Sequence, residues 1–399
     1  MTTTPKLSDA AIAALGFSPQ RLQRLHRHLE WYVTEGKHAG ITSLLFRKGQ
    51  VADVFAVGFQ DRLLGRPMQP DTIVRTYSLT KIVTSVAALI LLEEGKFGLL
   101  HPVEEYLPEF RDMQIFVGGT ARNPALTPAK NAVTIHQLFT HCTGFFYEGA
   151  AEPLDEIYAR AGLEEAESLA EYVKILASLP LKREPGTMFE YGYSTDILAR
   201  LIEVVTGQRL DVFFKEQLLD PLGMADTGFA VEERNRHRLA KVYEHGNNGE
   251  LQPVGRFDFE VSDGVRKCPI GSAGLFSTIM DYGRFGQMLC NRGELDGVRI
   301  LGRKTFELMT ADHLCGLPVA NRTFTEGYSF GLASAVRINN GLAGTLGTLG
   351  SFGWSGKATT LCTIDPAEEL VMLVFAQHLP YNEHGLFERY TNLVYQALL

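Results

Sequence analysis

Apolar residues at Leu22, Leu25, Leu29 and Tyr32 recur every three to four positions, which places them on one face of a helix opened by Ser18 and Pro19. The period then shortens. Residues 41–46 and 51–57 are β-rich and are parted by Arg47-Lys48-Gly49-Gln50, a pattern that predicts an antiparallel hairpin. From Ser78 to Leu92 the spacing predicts a helix with the run IVTSVAALILL, which has no polar face to offer water and therefore belongs at the centre of the fold. Residues 102–264 read as helices and loops, with helices near 135–139, 166–179 and 195–206 and no strand series. A helix near 280–289 follows, then strand-like stretches at 328–338, 358–364 and 370–376, and a last helix over 386–399.

The two ends of the chain are thus mixed and the middle is helical, which predicts an α+β fold: an antiparallel sheet built from both ends, flanked by helices, with a helical lobe inserted. The expected lobes are 1–77 plus 265–399 for the sheet and 78–264 for the helices, with the site between them. At 399 residues, 45% hydrophobic and 21% charged, the chain is long enough for one compound domain or two lobes. Its 46 acidic against 38 basic side chains, with no long basic run, argue against nucleic acid or an anionic membrane as partner. No apolar run approaches the roughly 20 residues that a span needs. Lys6 and Asp9 interrupt the amino terminus, which does not read as a signal peptide, so a cytoplasmic location is expected.

Cys142, Cys268, Cys290, Cys315 and Cys362 are scattered, odd in number and never in C-x-x-C spacing, as expected of reduced, mostly buried thiols. The 11 histidines show no H-E-x-x-H or similar ligand spacing, and neither a metal nor another cofactor is expected. Oligomeric state is not legible from the sequence.

Chemistry is suggested first by Ser78-Leu79-Thr80-Lys81. A serine and a lysine three apart on a helix share a face, so the lysine nitrogen reaches the hydroxyl, and the helix N-terminus adds N–H groups and partial positive charge. The plainer alternative is a capping serine beside a solvated lysine. A rival nucleophile is Ser329 in Gly327-Tyr328-Ser329-Phe330-Gly331, a G-x-S-x-G string followed by Asp365 and then His378 or His384. That elbow requires a helix after the serine, whereas residues 332–338 alternate like a strand.

A second motif, Pro185-Gly186-Thr187-Met188-Phe189-Glu190-Tyr191-Gly192-Tyr193-Ser194, follows the first by about a hundred residues, and three other segments accompany the pair. They are Leu138-Phe139-Thr140-His141-Cys142-Thr143-Gly144, Pro221-Leu222-Gly223-Met224 and Gly271-Ser272-Ala273-Gly274-Leu275-Phe276-Ser277-Thr278. In this order they resemble, over nearly the whole chain, the family VIII carboxylesterases of the serine β-lactamase-like superfamily, with class C β-lactamases and DD-peptidases as relatives. The resemblance implies the β-lactamase/transpeptidase-like fold, a nucleophile at Ser78 and acid/base partners at Lys81 and Tyr191, with Tyr193 as competitor for the tyrosine. Trp354-Ser355-Gly356-Lys357 looks like the esterase version of the family's site strand. By the same resemblance, the backbone amides of Ser78 and Lys357 form the oxyanion hole, and Tyr193, Trp354, Ser355 and Gly356 line the substrate site.

A serine hydroxyl needs a base within about 3 Å. A phenol with its ordinary pKa of about 10 is ionised to about one part in a thousand at neutral pH, a cost of roughly 4 kcal/mol, which a nearby lysine cation offsets. Either member of the Lys81 and Tyr191 pair holds the proton at rest, and the two titrate as one unit. The expected activity is hydrolysis of short-chain or compact carboxylic esters through an acyl-Ser78 intermediate. The alternatives are a β-lactamase or DD-peptidase, or an acyltransferase, using the same residues, and a non-enzymatic binding protein. Tyr193 where lactam-processing relatives carry asparagine, and Trp354 where they carry lysine, favour the esterase.

Overall fold

A computed structural model describes residues 7–147, 152–254 and 268–399. The first six residues, Lys6 among them, and the expected lobe boundary at 264/265 lie outside the described residues. Helix α1 (Pro19–Thr34) starts where Ser18 accepts a hydrogen bond from the Arg21 amide, and it buries Leu22, Leu25, Leu29 and Tyr32. Strands β1 (Gly40–Arg47) and β2 (Gln50–Asp61) form the predicted hairpin, in which Arg47 faces Gln50. Lys48 and Gly49 between them both have positive φ, 51° and 75°, as a two-residue turn of this hand requires. A short β3 (Arg66–Pro67) follows, and then α2 (Thr80–Glu93), buried at every position from Thr80 to Leu89.

The middle of the chain supplies a hairpin, β4 (Gln114–Thr120) and β5 (Asn123–Pro128), and the helices α3 (Ile135–Thr140), α4 (Leu169–Ala177) and α5 (Ser194–Thr206). It ends in two short strands, β6 (Tyr243–His245) and β7 (Leu251–Pro253). Helix α6 (Ile279–Cys290) leads to β8 (Tyr328–Phe330), β9 (Ala335–Arg337), β10 (Phe352–Gly356), β11 (Thr360–Asp365), β12 (Leu370–Ala376), β13 (His378–Leu379) and α7 (Leu386–Tyr395).

Eight strands form one sheet in the order β8-β9-β10-β11-β12-β1-β2-β3, each pair antiparallel. The two chain ends meet at its centre, where β1 pairs with β12 from Ile41 opposite Ala376 to Arg47 opposite Leu370. Alternate side chains serve two cores. Ile41, Leu45, Met372 and Val374 pack with α1 and α7, while Leu44, Phe46, Leu373 and Phe375 join the larger core that contains α2, α5 and α6. Burial of each such aliphatic side chain is worth roughly 1.5–3 kcal/mol. Helix α6 approaches the sheet closely because Gly283 and Gly286 face it: a Cβ at Gly283 would stand 2.5 Å from Leu44 Cδ2, and one at Gly286 2.7 Å from Val371 Cγ1.

The middle segment is not free of strands. The β4–β5 hairpin has no buried face, so it leaves no hydrophobic alternation to read. Residues 328–338, expected as one stretch, are two strands, because the chain reverses where the Gly331 amide donates to the Ser334 carbonyl (2.9 Å). That reversal also removes the G-x-S-x-G reading: Ser329 is followed by another strand, and its hydroxyl bonds Asp312. Among the described residues no helix is long and apolar enough to cross a membrane.

Candidate active site

Ser78 stands on a single 3-10 turn, Tyr77–Leu79, that runs directly into α2. The turn is tied down from several sides. Val74–Arg75 pairs with Phe276–Ser277, the Thr76 amide and hydroxyl both donate to the Leu275 carbonyl (3.0 and 2.8 Å), and the Leu275 amide donates to Thr80 Oγ1 (3.2 Å). From α6, the Tyr282 hydroxyl donates to the Leu79 carbonyl (2.8 Å). This framework holds Tyr77 at φ 47°, a left-handed backbone that costs a non-glycine residue about 1–3 kcal/mol. Its ring packs against the small apolar cluster of Val242, Val254, Ala358 and Leu379, and Ser78 follows at the turn.

One helical turn on, Lys81 is buried, and its Nζ donates to Ser78 Oγ (3.2 Å) and to the Ser272 carbonyl (2.9 Å). The same nitrogen lies 4.8 Å from the ring centroid of Tyr191 and 5.2 Å from that of Tyr147. Ser272 is positioned by Asp196, whose Oδ1 accepts its amide hydrogen (2.9 Å), and Gly271 by Thr84, whose hydroxyl donates to its carbonyl (2.6 Å).

Tyr191 sits on an extended segment just before α5. Phe189 donates its amide to the Pro318 carbonyl (2.9 Å) and Glu190 to the His141 carbonyl (2.8 Å). The buried Glu190 carboxylate is neutralised by Lys182 (2.5 Å) and Arg183 (2.6 Å), and removing one partner of such a pair typically costs about 3–5 kcal/mol. The Tyr191 hydroxyl accepts a hydrogen bond from the indole Nε1 of Trp354 on β10 (3.0 Å).

Strand β10 therefore borders the site, and Gly356 at its end lies against the turn before Ser78. A Cβ there would fall 2.3 Å from the Thr76 carbonyl oxygen and 2.3 Å from Thr360 Oγ1. Ser355 Oγ pairs with the Tyr381 hydroxyl (2.7 Å), and Lys357 is the exposed first residue of the turn after the strand.

Ser78, Lys81, Tyr191, Trp354 and Gly356 are thus brought together from three distant parts of the sequence. Tyr193 is set apart from them: its ring lies against Tyr147 (4.6 Å between centroids) and Tyr158 (5.9 Å), in an aromatic cluster packed on the core of the helical segment.

Three participants were not singled out by sequence reasoning. Tyr147 lies beside the Ser272 side chain, and burial, reinforced by the charge of Asp196, pushes its phenol well above the usual range. His141 lies wholly buried, 4.9 Å between centroids from Tyr191, and burial, then Lys81, hold its imidazole well below the ordinary value. Tyr381 reaches the site from the turn before α7. Tyr147 closes the stretch that begins with the Leu138-to-Gly144 motif, so extending that motif by three residues would have found it; Tyr381 carries no such signal.

The sequence model of the Beta-lactamase family matches residues 25–396. The chain belongs to the Beta-lactamase family. Within it, the chain is 31% identical over 361 residues to an uncharacterised protein of Mycobacterium tuberculosis, covering 86% of this chain and 87% of that one. It is 30% identical over 353 residues to esterase EstB of Burkholderia gladioli, covering 84% of each. The structure of EstCE1, described as a hydrolase with promiscuous acyltransferase activity, superposes with a TM-score of 0.78 at 24% identity over 97% of this chain and 99% of that one. The β-lactamase/transpeptidase-like fold expected from the resemblance is the one adopted.

Proposed function

We propose that this Beta-lactamase family member is a serine carboxylesterase acting on short-chain or compact carboxylic esters. The observation that carries the reading is the contact between Lys81 Nζ and Ser78 Oγ, 3.2 Å, at the N-terminus of a buried helix beside the Tyr191 ring. Ser78 Oγ attacks the ester carbonyl carbon, and its proton passes to the Lys81 and Tyr191 pair. The backbone N–H groups of Ser78 and Lys357 receive the oxyanion. The pair then protonates the departing alkoxide, leaving acyl-Ser78; it next takes a proton from the water that attacks the acyl carbon and returns it to Ser78 Oγ as the acid leaves. As acceptor of the Trp354 N–H, the Tyr191 oxygen is held in place while its own proton is left to be given or taken. Trp354, Ser355 and Gly356 provide the wall for the acyl group, with Tyr193 behind Tyr147.

The similarity to EstB supports hydrolysis. The description of EstCE1 supports a second fate for the same intermediate, transfer to an alcohol. A lactam-processing role is less well served, since an indole replaces the cation that would hold a substrate carboxylate. A cytoplasmic location completes the reading.

The test is labelling with a serine-directed phosphonate, peptide mapping, and steady-state kinetics on two substrates. Ser78 is expected to carry the label, and Ser78→Ala to abolish labelling and turnover. kcat/KM for an aryl acetate or butyrate is expected to exceed that for a cephalosporin by at least about 10³-fold, roughly 4 kcal/mol in the transition state. A label on Ser329 would overturn the mechanism, and an equal or reversed ratio would overturn the esterase reading alone.

A further inference from the structure

Behind the wall that carries Tyr381, four side chains converge that the reaction does not use. His245 closes β6 and His378 opens β13, two strands that pair in parallel, while Glu383 and His384 lie on the turn between β13 and α7. Glu383 Oε2 lies 2.8 Å from His378 Nε2, 3.3 Å from His245 Nδ1 and 3.5 Å from His384 Nε2. The four ligand atoms are all within 4.8 Å of one another.

Hydrogen bonding alone does not explain this convergence. A carboxylate oxygen offers about two lone-pair directions, and contacts from His378 (2.8 Å) and His245 (3.3 Å) already take both, while a third imidazole nitrogen, His384 Nε2, stands 3.5 Å away. His384 Nε2 is buried without a hydrogen-bond partner among the described residues. His245 Nε2 lies 3.1 Å from the Gly36 carbonyl, which can only accept, so Nε2 carries the hydrogen. A neutral His245 then turns the lone pair of Nδ1 toward an anionic oxygen, an arrangement that a cation between them reconciles. Ligands at the zinc bond length of about 2.0–2.1 Å sit at the corners of a tetrahedron with edges of about 3.4 Å; the 3.3 and 3.5 Å separations of His245 and His384 from Glu383 match that edge, and the other pairs, from 2.8 Å for His378 to no more than 4.8 Å, would adjust to it when the ion binds. The Gly36 carbonyl supplies the outer hydrogen bond that metal-binding imidazoles characteristically make.

We propose that His245, His378, Glu383 and His384 form a structural site for a divalent transition-metal cation of the zinc class. Three imidazole nitrogens and one carboxylate suit zinc, cobalt or nickel over calcium or magnesium, and four protein ligands make a closed site. The cation would tie β6 and β13 to the turn that precedes α7. That turn also presents Tyr381, bonded to Ser355 Oγ (2.7 Å), and Asn382, whose amide donates to Thr359 Oγ1 (3.1 Å). Metal binding would thereby stiffen one wall of the esterase site without entering the chemistry.

The experiment uses the full chain, stripped with a chelator, dialysed and titrated with Zn²⁺, and separately with Co²⁺. Expected are one equivalent of Zn²⁺ by calorimetry and elemental analysis, a rise in Tm of about 3 °C or more, and the visible absorption of four-coordinate Co²⁺. Glu383→Gln and His384→Gln alter the less buried ligands; folded by circular dichroism, each is expected to bind at least about 100-fold more weakly. Ser78→Ala is expected to bind as the wild type, which separates this site from the proposed reaction. Absence of stoichiometric binding, an unchanged Tm, or equal affinity in both ligand variants would overturn the proposal; the first is the result expected if a protonated His245 donates to Glu383 through Nδ1.

Discussion

Lys81 lies buried where its nitrogen meets the Ser78 hydroxyl, the Ser272 carbonyl and the faces of two tyrosines. If it works with Tyr191 as one acid/base unit, Lys81→Ala and Tyr191→Phe are each expected to lower kcat by at least about 10²-fold. The double variant should lose far less than the product of the two factors, a comparison that steady-state kinetics on an aryl acetate makes directly. Near-wild-type turnover in Tyr191→Phe would move the role to another group. Trp354 allows a finer test, because phenylalanine keeps most of the ring and removes only the N–H held by Tyr191 at 3.0 Å. Trp354→Phe is expected to reduce kcat about tenfold with KM within about threefold, matching the roughly 0.5–1.5 kcal/mol net value of one hydrogen bond. A change confined to KM would make Trp354 a binding surface only.

Two glycine contacts separate site from scaffold at the level of elements. Gly356 brings β10 against the backbone before Ser78, and a methyl group there meets the Thr76 carbonyl oxygen and Thr360 Oγ1, both at 2.3 Å. Gly283 brings α6 against the flexible ends of Leu44 and Phe46, the nearest at 2.5 Å. Both alanine substitutions are expected to lower stability by about 1–3 kcal/mol, but only Gly356→Ala should also cut kcat by an order of magnitude or more. Thermal melts and turnover on the two purified variants check this, and equal activities would show that β10 does not set the geometry of Ser78. Legibility follows burial at this scale too. The α1 face, the 41–57 hairpin and strand 370–376 were readable because each puts a regular apolar period into a core, whereas the mostly exposed β4–β5 hairpin gives no such period.

For the molecule as a whole, buried and half-buried histidines couple stability to pH. His141 and His136 are both held below the ordinary imidazole value, chiefly by burial, with Lys81 adding to the first and His313 to the second. The unfolded chain therefore binds more protons than the folded one once pH falls below about 6.5. Stability is fully present above that value and is lost as pH drops from there toward the depressed folded-state values. The urea midpoint is expected to be lower at pH 5.5 than at pH 7.5, with a smaller difference in His141→Gln. An unchanged difference in that variant would assign the proton uptake elsewhere.

What the chain determines locally is its periods and motif order: the buried helix that begins just after Ser78, the serine and lysine one turn apart at its start, and the tyrosine segment before α5. These follow from spacing along a helix or strand, which is a property of neighbours. What only the tertiary structure decided is which distant atoms meet. The indole of Trp354 reaches the Tyr191 hydroxyl across 163 positions, and Tyr147 is turned toward Lys81. The histidines at 245 and 378 converge on one carboxylate oxygen although 133 positions part them in sequence. The pairing of β6 with β13 makes that convergence, and no local period encodes it, because strands are aligned by the burial of whole faces and not by the residues that end up at their tips.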